Sequence, residues 1–276
     1  MMRHRVYQFG GTPVVWEQIA HLLPEYASHD FSHLKLAATG GARLSADVIA
    51  TFAERGIYIR QAYGITEAGG AISFPSAQEV IDHPGSCGTG GILAEFKTAR
   101  ADGSACPPGE TGEILIRGPF TMREYWRNPA KTAEAFTEDG WLISGDLGYV
   151  DDEGRLYFVD RLSNLIRSGD CDISPNAIEM VLDRMPGVTE VAAIAVPDAE
   201  LGHRVAVIVY SETGEIGQAE VLVAARRELE PSHVPSFVVL TDELLPRLAS
   251  GKLDRSGLRK AYSDLGSNQD ASFQDA

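Results

Sequence analysis

The chain has 276 residues, of which 44% are hydrophobic and 23% are charged, a composition typical of a folded globular protein. Its 39 Asp and Glu residues outnumber its 24 Lys and Arg residues, which gives a formal net charge of −15. Because nucleic acids and anionic membranes are held by clustered cations, this balance argues against both as partners and favours small-molecule chemistry.

Residues 1–75 alternate between helix and strand patterns. A capped amphipathic helix is predicted to begin at Thr12, because Thr is a preferred N-cap and the following Pro fits the first helical turn. Buried strands are predicted at residues 34–39 and 57–63, with a helix capped by Ser45 between them. Alternating strands and helices predict a parallel sheet, so we expect an α/β fold here.

The rest of the chain divides into a β-rich segment, a small domain and a tail. Residues 76–161 carry few helix signals and contain short strands between Gly- and Asp-rich turns, which predicts a β-rich subdomain. Residues 162–264 mix helices and strands, so we expect a small, mobile α+β domain. Residues 265–276 have almost no apolar content, which predicts a disordered tail.

Cysteine spacing and apolar run length together predict a cytoplasmic protein. Cys87, Cys106 and Cys171 are odd in number and far apart, which suggests neither a disulfide framework nor a zinc site. No apolar run reaches the roughly 18 residues that a membrane-spanning helix needs. We therefore expect no membrane span and a reducing compartment.

One motif after a predicted strand combines several groups that bind nucleotides. The segment Tyr63-Gly64-Ile65-Thr66-Glu67 offers an aromatic face, a flexible turn, a hydroxyl group for phosphate and a carboxylate suited to Mg²⁺. A chance turn would also fit this composition. Because four useful groups coincide directly after a strand, we favour a binding site over a chance turn.

Three other segments carry weaker signals. Gly40, Gly41 and Ala42 follow a strand, where missing side chains let a flat ring or a phosphate approach, but a plain strand-to-helix turn fits equally well. Asp146 lies in a turn and could accept two hydrogen bonds from a ribose diol, or could satisfy only its own turn. Lys252, on a predicted mobile loop, could meet phosphate oxygens, although a solvated surface lysine is the commoner case.

In their order along the chain, these motifs resemble those of the adenylate-forming superfamily of acyl-CoA synthetases, luciferases and peptide-synthetase adenylation domains. The resemblance runs from about Gly11 to Arg259 and is strongest to the C-terminal portion of an acyl-CoA ligase. It implies a truncated adenylate-forming fold. Residues 1–161 would be the C-terminal part of the large AMP-binding domain, and residues 162–264 the small domain that carries the catalytic lysine.

The resemblance also implies roles for the candidate residues and a set of cofactors, namely ATP or AMP, Mg²⁺ and CoA. The loop at Gly40, Gly41 and Ala42 is similar to the family's adenine loop, and Tyr63 and Gly64 open its nucleotide-binding box. The remaining implied roles are ribose binding for Asp146 and Arg161, phosphate contact for Thr66, Mg²⁺ binding for Glu67 and adenylation for the catalytic residue Lys252.

By this likeness the reaction has two steps. A carboxylic acid attacks ATP to give acyl-AMP and pyrophosphate, and a thiol then displaces AMP after the small domain has rotated. Mg²⁺ and Lys252 would stabilise the charge that develops in the first step. The acceptor thiol would belong to CoA or to a carrier protein; residues 141–161 favour CoA, and fatty acid metabolism is the expected setting.

Two positions depart from the family pattern. Ser163 occupies the hinge position, where Asp or Lys is usual. Asp170 follows Gly169 at a place where a second Gly is expected, and in relatives that Gly lines the thiol tunnel. A carboxylate there would crowd and repel an incoming pantetheine or its phosphates. We therefore expect the thioester step to be affected more than adenylate binding.

The family's Ser/Thr/Gly-rich phosphate loop and half of its large domain have no counterpart in this sequence. The strands near residues 34 and 57 would then have an uncovered edge and exposed apolar faces. We predict that a complementing N-terminal half or self-association covers them. Two alternatives remain open, a non-catalytic AMP- or partner-binding module and an adenylation domain that serves a carrier protein.

Overall fold

The computed structural model describes residues 4–26, 28–41, 44–248 and 251–267. The chain divides into two compact units, Met1–Leu162 and Ser163–Ala276. The first contains a parallel sheet with two helices, a hairpin and an antiparallel sheet, and the second contains a hairpin and a mixed sheet with three helices. The predicted α/β, β-rich and α+β fold classes are confirmed.

The α/β part of the first unit is a parallel sheet of three strands in the order β1-β2-β3. The strands are β1 (Gln8–Gly11), β2 (Leu36–Thr39) and β3 (Ile59–Gln61), and the helices are α1 (Pro13–Leu22) and α2 (Ala46–Ala53). The sequence pattern did not predict β1, because its four residues show no alternation of apolar and polar side chains and include two glycines.

Trp16 on α1 is the centre of the apolar core of this sheet. Its side chain is fully buried, and its ring meets the rings of Phe9 and Phe52 edge to face, with 5.1 Å between centroids in each pair. The indole Nε1 donates a hydrogen bond to the carbonyl of Ala38 on β2 at 3.0 Å. The tryptophan therefore fixes α1 on the sheet while its one polar group is satisfied.

The segment predicted as a single strand at residues 57–63 is two strands in different sheets, which corrects that prediction. β3 ends at Gln61, and the amide of Ala62 donates to the carbonyl of Thr39 at 2.8 Å. The chain then enters a hairpin of β4 (Tyr63–Ile65) and β5 (Gly70–Ser73). Apolar side chains of this hairpin pack into the core of the antiparallel sheet, so β-rich packing begins at β4 and not at residue 76.

The antiparallel sheet has four consecutive strands in the order β6-β7-β8-β9. They are β6 (Glu95–Ala99), β7 (Gly112–Arg117), β8 (Leu142–Val150) and β9 (Leu156–Arg161). Two short helices accompany them: α3 (Ala77–Asp82) lies between β5 and β6, and α4 (Pro129–Glu134) lies between β7 and β8. The register of β8 and β9 places Asp146 opposite Arg161. Two candidate ribose residues are therefore cross-strand neighbours.

The second unit begins with a hairpin of β10 (Ile166–Ser168) and β11 (Cys171–Ile173). Its mixed sheet contains β12 (Glu190–Asp198), β13 (Gly202–Tyr210) and β14 (Phe237–Thr241), with β13 antiparallel to β12 and parallel to β14. The helices are α5 (Pro175–Leu182), α6 (Gln218–Glu228) and α7 (Arg255–Ala261).

The central strand β13 is buried on both faces. Val205, Val207 and Val209 belong to one apolar core, which includes residues of α5 and α6. Ala206 and Ile208 belong to a second core, which includes Leu258 of α7. Because successive side chains of a strand point to opposite faces, burial of both faces explains the unbroken apolar run of this strand.

The predicted disordered tail begins with ordered residues. A 3₁₀ turn spans Ser263–Ser267, and Leu265 packs against the core that contains Ala206 and Ile208. Residues 268–276 of that prediction lie outside the described residues. In the described parts of the chain, none of the helices combines the length and apolar character that crossing a bilayer requires.

Replacing Trp16 with Ala should lower the free energy of unfolding by about 3–5 kcal/mol, because the change empties the centre of a packed core. Trp126 is 81% exposed, so Trp126→Ala serves as the matched control and should change stability by less than about 0.5 kcal/mol. Urea unfolding followed by circular dichroism measures both. Equal losses in the two variants would contradict the central role of Trp16.

Candidate nucleotide site

A buried carboxylate, Asp146, lies at the centre of the candidate site in the first unit. The hydroxyl of Tyr63 donates a hydrogen bond to its Oδ2 at 3.0 Å, and Nε of Arg161 lies 3.2 Å from its Oδ1. The Asp146 side chain is 4% exposed, whereas that of Arg161 is 57% exposed. The structure thus brings together three predicted residues, two of them 83 positions apart in sequence.

The backbone around Asp146 is held by side chains as well as by the sheet. Gly145 has a φ of 71°, a left-handed conformation that favours glycine. Its amide donates to Oε1 of Glu113 at 3.1 Å, and the amide of Asp146 donates to Oγ of Ser144 at 3.0 Å. The sequence did not point to Glu113 as part of this candidate site, because it lies 32 positions away from the glycine that it holds.

One oxygen of Asp146 has unused hydrogen-bonding capacity. Its Oδ1 is buried and accepts no hydrogen bond from the described residues, so the nearby Arg161 guanidinium contributes charge and not a directed hydrogen bond. A buried acceptor without a donor costs free energy until a ligand supplies one. Hydroxyl groups such as those of a ribose diol are donors of this kind.

Burial sets the electrostatics of this cluster. It raises the pKa of Asp146 above its ordinary value, and the positive charge of Arg161 opposes that rise. Burial is also the largest cause of the raised pKa of Tyr63, followed by the charge of Asp146. The tyrosine hydroxyl therefore keeps its proton at neutral pH and acts as the donor to the carboxylate.

Thr66 and Glu67 lie in a 3₁₀ turn that directly follows β4. Thr66 is exposed. The carboxylate Oε1 of Glu67 accepts a hydrogen bond from the hydroxyl of Tyr125 at 2.8 Å, and this bond is the main cause of the raised pKa of Tyr125. Tyr125 is a second residue that sequence reasoning missed, since it lies 58 positions from its partner.

Glu67 fits Mg²⁺ as one ligand among several. No group of three or more His, Cys, Asp or Glu side chains in the described residues could hold a metal ion by itself. Mg²⁺ is commonly bound by one or two carboxylates, with water and substrate phosphates completing its coordination. The Glu67 carboxylate, oriented by Tyr125, is suited to supply one such oxygen.

The glycines of the candidate site differ in whether the backbone requires glycine at that position. A Cβ on Gly64 would lie 1.8 Å from the carbonyl oxygen of Gly70, so the close approach of the two hairpin strands requires glycine there. Gly41 has a φ of 83°, which also favours glycine. Gly40 has room for a side chain, since its Cβ would stand 3.5 Å from the nearest atom. Ala42 lies outside the described residues.

A further buried polar group lies at the end of β2, beside this glycine loop. Thr39 is 2% exposed, and its Oγ1 makes no hydrogen bond with the described residues. No sequence motif pointed to Thr39, because a threonine at a strand end is common. Oγ1 of Thr39 and Oδ1 of Asp146 are therefore two buried polar atoms of the first unit that have no hydrogen-bond partner among the described residues.

Three other predicted residues belong to the second unit. Ser163 is its first residue and is exposed in a 3₁₀ turn, Leu162–Asn164. Gly169, in the turn between β10 and β11, has a φ of 57°, and its amide donates to the carbonyl of Leu201 at 2.8 Å. Asp170 is exposed beside it.

Lys252 is exposed on a loop closed by a bridge between Arg247 and Leu253. The amide of Leu248 donates to the carbonyl of Lys252 at 2.8 Å. An ion pair of 2.6 Å between Arg247 and Glu190 ties the loop to β12. The base of the loop is therefore anchored to the sheet, and the mobility expected from the sequence stays a prediction.

Two family models match this chain. The model of the AMP-binding enzyme matches residues 1–126, and the model of the AMP-binding enzyme C-terminal domain matches residues 177–252. This chain belongs to the AMP-binding, adenylate-forming enzyme family. The resemblance inferred from the motif order is confirmed.

Relatives of this chain include CoA ligases. It is 36% identical over 261 residues to a feruloyl-CoA synthase of Amycolatopsis sp, covering 94% of this chain and 52% of the relative. It is 32% identical over 263 residues to the long-chain-fatty-acid–CoA ligase FadD13 of Mycobacterium tuberculosis, covering 95% and 52%. The chain spans about half the length of the curated relatives it matches.

Solved structures show the same adenylate-forming fold. ATP-bound MatB from Rhodopseudomonas palustris aligns with a TM-score of 0.85 at 30% identity, covering 96% of this chain and 52% of that one. The o-succinylbenzoate CoA synthetase MenE from Bacillus subtilis, in complex with its acyl-adenylate intermediate, aligns with a TM-score of 0.81 at 30% identity, covering 93% and 51%.

Replacing Asp146 with Asn should raise the free energy of unfolding at neutral pH. A carboxyl group whose folded pKa is raised binds its proton more readily in the folded state, so ionisation of Asp146 above that pKa costs stability. The gain should vanish as the pH falls through the raised pKa toward 3.8, because the wild-type carboxyl is then protonated as well.

Urea unfolding across this pH range measures the difference between Asp146→Asn and the wild type. Asp152 is exposed, so Asp152→Asn is the matched control for the lost charge. If Asp146→Asn proves less stable than the wild type at neutral pH, burial does not dominate the energetics of this carboxylate.

Proposed function

We propose that the chain binds adenylate and takes part in the ATP-dependent activation of a carboxylic acid to acyl-AMP and its transfer to CoA. The observation that carries this proposal is the buried Asp146, with one oxygen bonded to Tyr63 and the other without a donor in the described parts of the chain. In a family of adenylate-forming enzymes, this arrangement suits two vicinal ribose hydroxyls.

Ribose binding would use the charge arrangement around the carboxylate. Tyr63 keeps Asp146 in position, and the largely exposed Arg161 supports its ionised form by charge. A ribose hydroxyl that donates to Oδ1 satisfies the unused acceptor. The Gly40, Gly41 and Ala42 loop would accept the adenine ring, for which the left-handed backbone at Gly41 supports a close approach.

Phosphate and acid activation would use three further side chains. Thr66, exposed after β4, is suited to donate a hydrogen bond to phosphate. Glu67 would hold Mg²⁺, which neutralises phosphate charge when it is bound. Lys252 would place its ammonium group against the charge that develops as the carboxylate attacks. Its exposure and its anchored loop support a position where a ligand can reach it.

The second step would transfer the acyl group to the thiol of CoA. Names of relatives, including feruloyl-CoA synthase and a long-chain-fatty-acid–CoA ligase, support CoA over a carrier protein. Gly169 and Asp170 would border the path of the thiol, and Ser163 would act as the hinge. Because Asp170 adds a negative charge to that path, we expect transfer to be slow relative to adenylation. Cytoplasmic location stays a prediction.

An AMP-binding module without catalysis is the competing function. The ribose cluster would serve it equally well, and the chain spans about half the length of its curated relatives. Adenylate binding without turnover would distinguish the module from the ligase, so a catalytic measurement and a binding measurement are both needed.

Replacing Lys252 with Ala should reduce acid-dependent exchange between ATP and pyrophosphate by about a hundredfold, since the variant loses a cation aimed at developing charge. AMP binding, measured by calorimetry, should be retained because the ribose cluster is intact. Lys131 is exposed on α4, so Lys131→Ala controls for the lost charge and should exchange normally. Absence of exchange in the wild type with a panel of acids, together with AMP binding, would contradict the ligase and leave the module.

The edges of the parallel sheet support a proposal about partners. Within the described residues, β1 and β3 each pair only with β2, and Tyr7 beside β1 is 67% exposed. Unpaired strand edges are templates for pairing with another chain. We propose that a complementing N-terminal half, or in its absence a second copy, covers them.

Size-exclusion chromatography with light scattering tests this partner proposal on the purified chain. We expect a mass of more than one chain that decreases on dilution, because self-association would cover the edges in the absence of another partner. A well-folded chain that stays monomeric at high concentration would count against edge pairing.

A further inference from the structure

Among the described residues, a cavity of about 340 Å³ in the second unit is lined by three basic side chains and by no acidic one. The basic residues are Arg167, His203 and Arg259. Its volume falls within the range of about 300–1,000 Å³ that is usual for small-molecule sites. In a chain with 39 acidic and 24 Lys and Arg residues, composition alone would not lead us to expect such a lining.

Arg259 gives this basic cavity an unsatisfied donor. The residue lies on α7, and its Nε is buried without a hydrogen-bond partner among the described residues. A guanidinium N–H removed from water without an acceptor costs free energy. An anion in the cavity would supply the acceptor and the opposite charge.

The other two basic side chains come from separate elements. Arg167 lies on β10 and His203 on β13, so three parts of the second unit converge on the cavity. Nε of Arg167 is 3.3 Å from Asp172, but both side chains are more than half exposed, and such a pair contributes little. The planar guanidinium group is well suited to the geometry of phosphate oxygens.

We propose that this basic cavity binds a phosphate group, either of free pyrophosphate or of a phosphorylated thiol cofactor such as CoA. The inference deepens the proposed function and rests on it, because pyrophosphate and CoA belong to that reaction; its site is a separate one, since none of the three residues belongs to the ribose cluster or to the Lys252 loop. Phosphate is favoured over a carboxylate because two guanidinium groups and an imidazole converge on the cavity, and a group with several anionic oxygens can contact more than one of them.

Calorimetry on the full chain at fixed ionic strength tests the proposal with three probes, namely pyrophosphate, CoA and CoA without its 3′-phosphate. Arg259→Gln should weaken binding by about tenfold or more, since a charge-assisted hydrogen bond is lost. His203→Ala should also weaken binding. Because His203 is exposed, this second variant should fold normally and tests the site even if Arg259→Gln misfolds. Arg227, 75% exposed on α6, provides the matched control Arg227→Gln, which should bind as the wild type does.

The probes distinguish the source of the phosphate. Binding of pyrophosphate that depends on Arg259 supports a free-phosphate site, and binding of CoA alone, lost without the 3′-phosphate, supports a cofactor site. The proposal is overturned if none of the probes binds the wild type, or if Arg227→Gln weakens binding as much as Arg259→Gln does. AMP binding measured on the same variants should be unchanged, which separates failure of this site from failure of the ribose cluster.

Discussion

The buried carboxylate of Asp146 constrains the first unit more than any other single group. A charged oxygen removed from water must be compensated by donors and by opposite charge. Tyr63 from the β4–β5 hairpin and Arg161 from β9 provide this compensation. The hairpin and two strands of the antiparallel sheet must therefore meet at this point, and the ring of Tyr63 and the side chain of Ile65 pack into the sheet's core beside it.

This compensation is incomplete among the described residues. Oδ1 of Asp146 and Oγ1 of Thr39 are both buried without hydrogen bonds among the described residues, while burial raises the pKa of Asp146. A fold selected only for stability would replace such groups with apolar ones. In the proposed function, a ligand hydroxyl would supply the donor that Oδ1 of Asp146 lacks.

The second unit positions its candidate residues by a different means. Its sheet is buried on both faces, which gives a rigid base, and Glu190 on β12 pairs with Arg247 to hold the Lys252 loop. The basic cavity uses another end of the same framework, where Arg259 on α7 has an unsatisfied donor. In both places a basic residue lies on a segment that packs or pairs with the sheet of the second unit.

The sequence by itself determined the family, the fold classes and the short motifs, because these depend on residue order and on local periodicity. The composition of the segment from Tyr63 to Glu67 identified it as a candidate binding site, and its turn accounted for the glycine at position 64. Only the tertiary structure showed why that glycine is needed, through the close carbonyl of Gly70, and that residues 57–63 divide between two sheets. Tyr125 and Glu113 could not be selected from the sequence either, because their hydrogen-bond partners, Glu67 and Gly145, are 58 and 32 positions away. Packing of the strands creates the hydrogen bonds between distant residues and the burial that changes pKa values. A local sequence pattern therefore does not reveal either of them.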